Sequence, residues 1–155
     1  MSPSRREAMK HSAAVAALLA GAGLWPEAAH AQAGWNKTAF EAKSLADVLK
    51  ALGAGKPEAS KDVTLVADEV ANDGAVVALE ASTALPGVKR LAFLVEKNPN
   101  TLSALFELSD AVAASVAIQV KMDQTSRVYA VAMMGDGRVL FAQKEIQVTL
   151  GGCGN

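Results

Sequence analysis

From Asp62 to Leu150 the apolar residues fall into short runs separated by turn signals, and nothing between the runs requires a helix. Val63 to Val70 leads into Asn72-Asp73-Gly74, residues that tolerate the positive φ of a tight turn. Ala75 to Ala81 is followed by Leu85-Pro86-Gly87, and Val88 to Lys97 by Asn98-Pro99-Asn100. Leu102 to Leu108 fits a strand or a helix by composition. In Val112 to Met122, Ile118, Val120 and Met122 share one face, with Gln119 and Lys121 on the other. Arg127 to Met134 and Arg138 to Leu150 flank Gly135-Asp136-Gly137, a hairpin signal. Six or seven such strands predict a mainly β fold, an antiparallel immunoglobulin-like β-sandwich. The central Trp and paired cysteines of antibody domains are missing, so the expectation covers general architecture only.

Ahead of the strands lies one helical pattern. Leu45, Val48, Leu49 and Leu52 recur at the spacing of a single apolar helix stripe. Ser44 with Asp47, or Thr38 with Glu41, could cap its start, and Gly53 can close it behind Lys50. Gly53 to Lys61 reads as a connector. The expected organisation is therefore a segment 1–31 to be removed, a helical segment and connector 32–61, a sandwich 62–150, and a five-residue arm 151–155.

The segment to be removed is an address. Arg5 and Arg6 stand just before an apolar stretch from about Ser12 to Trp25, which is too short and weakly apolar to span a membrane. Ala29-His30-Ala31 has the small-x-small spacing of a signal-peptidase site. Paired arginines in this position predict the twin-arginine export route, cleavage after Ala31 and a periplasmic product. Both histidines, His11 and His30, leave with this segment, and Cys153 is the only cysteine. The exported chain then has no histidine for a metal site, a Cys-His pair or a Ser-His-Asp triad, and no second cysteine for an internal disulfide. Removing three cations and two carboxylates takes the net charge from −1 to −2, and only 5% of residues are aromatic. Such a chain lacks the basic stripe and stacking platforms of a nucleic-acid binder, and no later run is long enough to enter a membrane.

The chemistry is expected at Gly151-Gly152-Cys153-Gly154-Asn155. Ile146, Val148 and Leu150 alternate with Glu145, Gln147 and Thr149, which predicts a strand pinned to the core as far as Leu150. Glycines on both sides of Cys153 then free its backbone and clear its surroundings, so the thiol could enter a narrow pocket about 10 Å beyond the last pinned residue. A frayed end with an incidental cysteine is the alternative. Against it, an exposed lone thiol in an exported protein is an oxidation liability, which suggests a reactive or intermolecular role. No cation, helix start or metal ligand lies nearby in sequence to lower the thiol pKa. The cysteine is equipped to hold a group while other proteins supply activation, which is the pattern of a carrier and not of an enzyme.

At these residues the chain resembles the SoxY family, the carrier subunit of bacterial sulfur oxidation. Gly151, Gly152, Cys153 and Gly154 match its terminal Gly-Gly-Cys-Gly-Gly signature, and Asn155 departs from the usual final Gly. Val95-Glu96-Lys97-Asn98-Pro99-Asn100 and Lys144-Glu145-Ile146-Gln147-Val148-Thr149 are also similar to family segments. The resemblance implies covalent sulfur attachment at Cys153, with Gly151, Gly152, Gly154 and Asn155 as the flexible arm and no cofactor beyond the sulfur adduct. It implies a haem-containing enzyme that couples thiosulfate to the cysteine as an S-thiosulfonate, and a metal-dependent hydrolase that releases sulfate. A sulfane dehydrogenase acts next in some pathways, and a SoxZ-like subunit is the implied stable partner. The alternative is a non-catalytic sandwich module whose cysteine only forms an intermolecular disulfide; a small redox enzyme is disfavoured by the missing base and second cysteine. Other features carry less. Asp68-Glu69 reads as solvated, Met133-Met134 as core filling, and Lys121, Arg127, Arg138 and Lys144 as surface that could bias the arm toward anionic adducts. Trp35 could anchor the start of the exported chain or touch a partner.

Overall fold

The computed structural model describes residues 36–150. They begin with two short helices, α1 (Lys37–Glu41) and α2 (Leu45–Ala51). The expected helix is α2. The Ser44 hydroxyl accepts from the Asp47 amide at its start. At its end the amides of Gly53 and Ala54 return to the carbonyls of Lys50 and Leu49, with Gly53 at φ +64°. That closure needs a left-handed residue, which glycine supplies without strain. Thr38 and Glu41 do not cap; Asn36 does, accepting from the Ala39 amide.

Nine strands follow: β1 (Pro57–Ala59), β2 (Val63–Val66), β3 (Val70–Ala71), β4 (Val77–Thr83), β5 (Val88–Val95), β6 (Leu102–Glu107), β7 (Ser115–Val120), β8 (Ser126–Met134) and β9 (Val139–Val148). The larger sheet runs β1-β9-β8-β5-β6 with β3 also on β9, and the smaller runs β2-β4-β7. The immunoglobulin-like sandwich is as expected, and its long pairings are antiparallel. Two short parallel pairings, β1 and β3 on β9, add a mixed edge. β1 falls inside the stretch read as a connector. Its three residues carry no buried apolar alternation, so nothing in their pattern announces a strand. Leu102 to Glu107 settles as strand, paired with β5 around the Asn98-Pro99-Asn100 turn.

The larger sheet is covered on both faces. Leu91, Phe93, Val95, Val128, Ala130, Ala132 and Met134 point into the space between the sheets, where Val63, Val77, Leu79 and Ala81 meet them. Ala92, Leu94, Tyr129, Val131 and Met133 point the other way, against Ala39, Val48, Leu49 and Leu52 of the helices. A strand buried on both sides loses its polar alternation. That is why β5 and β8 read as nearly unbroken apolar runs. Adjacent Met133 and Met134 consequently fill different cores, and the core-filling reading of both is met. β7, with one face toward solvent, keeps Gln119 outside and Val120 inside.

The turn signals divide into two kinds. Gly135-Asp136-Gly137 closes a true hairpin between β8 and β9, with Gly137 at φ +91°. Asn72-Asp73-Gly74 does not join paired strands; it carries the chain from β3 in the larger sheet to β4 in the smaller. None of its residues has positive φ.

Candidate functional site

β9 pairs with β8 only as far as Ile146, opposite Ser126, and then runs past the end of its neighbour. The overhang is met from three other places. β3 lies along its far edge, with Val70 opposite Gln147 and Ala71 opposite Val148. The Gln147 amide donates to the Glu69 carbonyl at 2.8 Å, and the Val148 amide to Thr125 Oγ1 at 3.0 Å. Thr149 uses both its amide, to the Ala71 carbonyl at 3.1 Å, and its hydroxyl, to the Asn72 carbonyl at 2.9 Å. The Leu150 carbonyl finally accepts from the Gly74 amide at 2.7 Å.

The side chains tell a different story from the one expected. Ile146 is fully buried, Val148 half-buried and Leu150 68% exposed. The apolar face is therefore not pinned to Leu150; Val148 still packs against the core at its edge, and the face lifts out after it. The backbone keeps hold, through the run of hydrogen bonds just described. Alternation in the sequence reports side-chain faces and is blind to such bonds. Gly74 is central to the hold. It is buried, and its own carbonyl accepts from the amide of Met122, just past β7, at 2.7 Å. It thus joins the end of β9 to the smaller sheet. Thr125, Asn72 and Gly74 were missed as root residues because they act through local polar groups. The Asn72-Asp73-Gly74 turn signal was visible, but its destination was not.

Cys153, Gly151, Gly152, Gly154 and Asn155 lie outside the described residues, as do Arg5, Arg6, the cleavage site after Ala31, and Trp35. The described part supplies the fixed origin of the arm. Cys153 is the third residue after Leu150, a reach of about 10 Å at full extension.

The four cations do not all gather at this root, although Lys144 lies beside it. Arg138 sits at the opposite end of β9, its Nε 2.8 Å from Asp136. Arg127 donates to the Tyr129 hydroxyl and lies 3.8 Å from Glu96. Its pKa is raised, first by the bond to Tyr129 and then by the nearby acids. Lys144 donates to the Ala67 carbonyl at 2.6 Å and faces Glu69 at 3.9 Å. Lys121 is exposed, one residue before Met122. Glu69 is 83% exposed, in keeping with a solvated carboxylate. No group of three or more His, Cys, Asp or Glu able to hold a metal occurs among the described residues, and none of their helices is long and apolar enough to cross a membrane.

The described residues thus form a helix-backed β-sandwich that ends in a strand clamped by its backbone, and in sequence Cys153 follows a few residues further on. The chain belongs to the SoxY family: the family model described as sulfur oxidation protein SoxY matches residues 48–153, through Cys153 itself. Among solved structures it is similar to the sulfur carrier protein SoxY from Chlorobium limicola f thiosulfatophilum. That match has a TM-score of 0.60 and 23% identity over 66% of this chain and 93% of that one. A variant of the superoxide reductase (neelaredoxin) from Ignicoccus hospitalis matches at a TM-score of 0.50 and 15% identity, over 56% of this chain and 78% of that one. At these identities both likenesses are of fold. No curated protein sequence matches the chain.

Proposed function

We propose that this chain is the sulfur carrier of a periplasmic thiosulfate-oxidation system, holding its cargo covalently on Cys153 and presenting it to partner enzymes. The observation that carries the reading is the family match reaching Cys153, placed three residues beyond the clamped end of β9. In the loading step the Cys153 thiol and thiosulfate join through a new S–S bond, giving the S-thiosulfonate. Two electrons pass to a haem-containing coupling enzyme and the thiol proton to solvent. In the unloading step water attacks the terminal sulfone on a metal-dependent hydrolase. Sulfate leaves, two protons are released, and a persulfide stays on Cys153 for a sulfane dehydrogenase to oxidise. The chain contributes attachment and reach, and the partners contribute catalysis. Export by the twin-arginine route with a SoxZ-like subunit completes the proposal.

Intact-mass spectrometry tests it. Protein isolated from cells grown on thiosulfate should carry heterogeneous sulfur adducts that vanish in Cys153→Ser, together with thiosulfate-dependent growth. A single protein–protein disulfide with no sulfur adduct would favour a structural linker instead. Replacing Arg5 and Arg6 by Lys should strand both this chain and its subunit in the cytoplasm, and unaltered export of either would remove that part of the proposal.

A further inference from the structure

A reactive group on any partner meets the Cys153 sulfur within about 10 Å of Leu150, because only two residues, Gly151 and Gly152, intervene. A protein large enough to enclose that sulfur in a pocket must rest on the surface around the root. That surface is unusual. Val70, Val76 and Leu150 are 47%, 59% and 68% exposed. Single exposed apolar residues are ordinary, but a group of them marks a contact site. Here they share one place. Val70 sits opposite Gln147 in β3, and Val76 comes two residues after the Gly74 amide that holds Leu150. Val70 and Val76 line one depression together with Asp68 and Asp73. Glu69 adds a third carboxylate, and the nearby Lys144 is already engaged by Glu69 and the Ala67 carbonyl.

We propose that Val70, Val76 and Leu150 form a docking collar for the enzymes that act on Cys153, meeting an apolar contact ringed by Lys or Arg at the mouth of the partner's pocket. This rests on the carrier reading of Cys153. The charge pattern is consistent at two levels. The acidic rim around Asp68 attracts a cationic mouth, and the same carboxylates repel an anionic thiosulfonate from the carrier's own surface. Cations in the partner's pocket attract both. The collar supplies contact common to all partners, while the pocket beyond reads the adduct.

The test uses the exported chain with whatever subunit accompanies it. Cys153 is charged with tetrathionate, whose central S–S bond is broken by the thiolate to give the S-thiosulfonate and free thiosulfate. The sulfate-releasing hydrolase from the same cells then supplies the readout. Val76→Asp and Leu150→Asp should each raise KM about tenfold with kcat little changed, as loss of docking predicts. Asp68→Lys should slow capture and flatten its dependence on salt. Val112 is equally exposed, at 60%, but precedes β7, at the far end of that strand from Met122 and Gly74. Val112→Asp should change nothing. The rate at which the neutral reagent N-ethylmaleimide alkylates Cys153 should be the same in all four variants, which separates docking from damage to the arm. Unchanged KM in both apolar variants would overturn the collar and leave the carrier role standing. Loss of the accompanying subunit in those variants would also overturn it, by assigning the patch to that subunit. A wild-type protein that never carries sulfur in cells would remove the carrier reading itself.

Discussion

The two ends of β9 are held by different means. At its start, Val139 and Leu140 are buried on opposite faces, and the turn before them is specified by side chain and glycine: Asp136 Oδ1 accepts from the Arg138 amide and Gly137 takes φ +91°. At its finish only Val148, half-buried, still packs against the core, and main-chain groups of Glu69, Ala71, Asn72 and Gly74 do most of the holding, with Thr125 as the one side-chain acceptor. A side-chain anchor asks for buried volume and brings bulk. A backbone anchor fixes the chain while leaving its surface thin, which would suit the close approach that the proposed carrier role requires. The last fully buried apolar anchor, Ile146, lies four residues before Leu150, and the polar hold begins where it ends.

If that division is right, the largest loss follows from removing the side-chain anchor. Ile146→Ala should destabilise the whole domain by about 2–5 kcal/mol, the range for emptying a fully buried aliphatic site. Denaturant unfolding would show it as a lower midpoint with an unchanged slope. A loss under about half a kcal/mol would mean the core closes over the gap and that Ile146 is no anchor. Thr125→Val should act more locally. It removes the acceptor of the Val148 amide at about the same volume, a cost of about 1–3 kcal/mol if that amide finds no water. Hydrogen exchange should rise at Val148, Thr149 and Gly74 while the amides of β5 keep their protection. Equal acceleration throughout would make the root part of the global core.

Much of the fold could be read in the residues. The hairpin glycines, the α2 stripe with its Ser44 cap, and the alternation of β7 each act within a few positions, so sequence spacing reports them directly. What stayed hidden depends on distant pairing. β1 exists only because Val139, Leu140 and Phe141 offer it an edge. β3 is two residues long and takes its meaning from Gln147 and Val148. The two-sided burial of β5 and β8 could have been inferred from their unbroken apolar runs. At the site, Cys153 and its glycines announced themselves by composition. The clamp beneath them did not, since amides and carbonyls look alike at every residue.

The smallest effect belongs to the hairpin end, where the anchor is a titratable side chain. The Asp136 carboxyl is held below its ordinary value, first by the backbone amide of Arg138 and then by its guanidinium. A lowered folded pKa means the carboxylate contributes fully above the usual value of 3.8. That contribution fades as pH falls from there through the lower folded value. The group is solvent-exposed, so the change should be slight beside that of Ile146→Ala. Asp136→Asn should remove the pH dependence at this end of β9, seen as weaker protection of the Arg138 amide, relative to its intrinsic exchange rate, that no longer changes with acid. Exchange at Val148 and Thr149 should not follow, because no carboxylate side chain takes part in the hydrogen bonds that clamp the other end. If the two ends titrate together, the strand moves as one body and the distinction between its anchors fails.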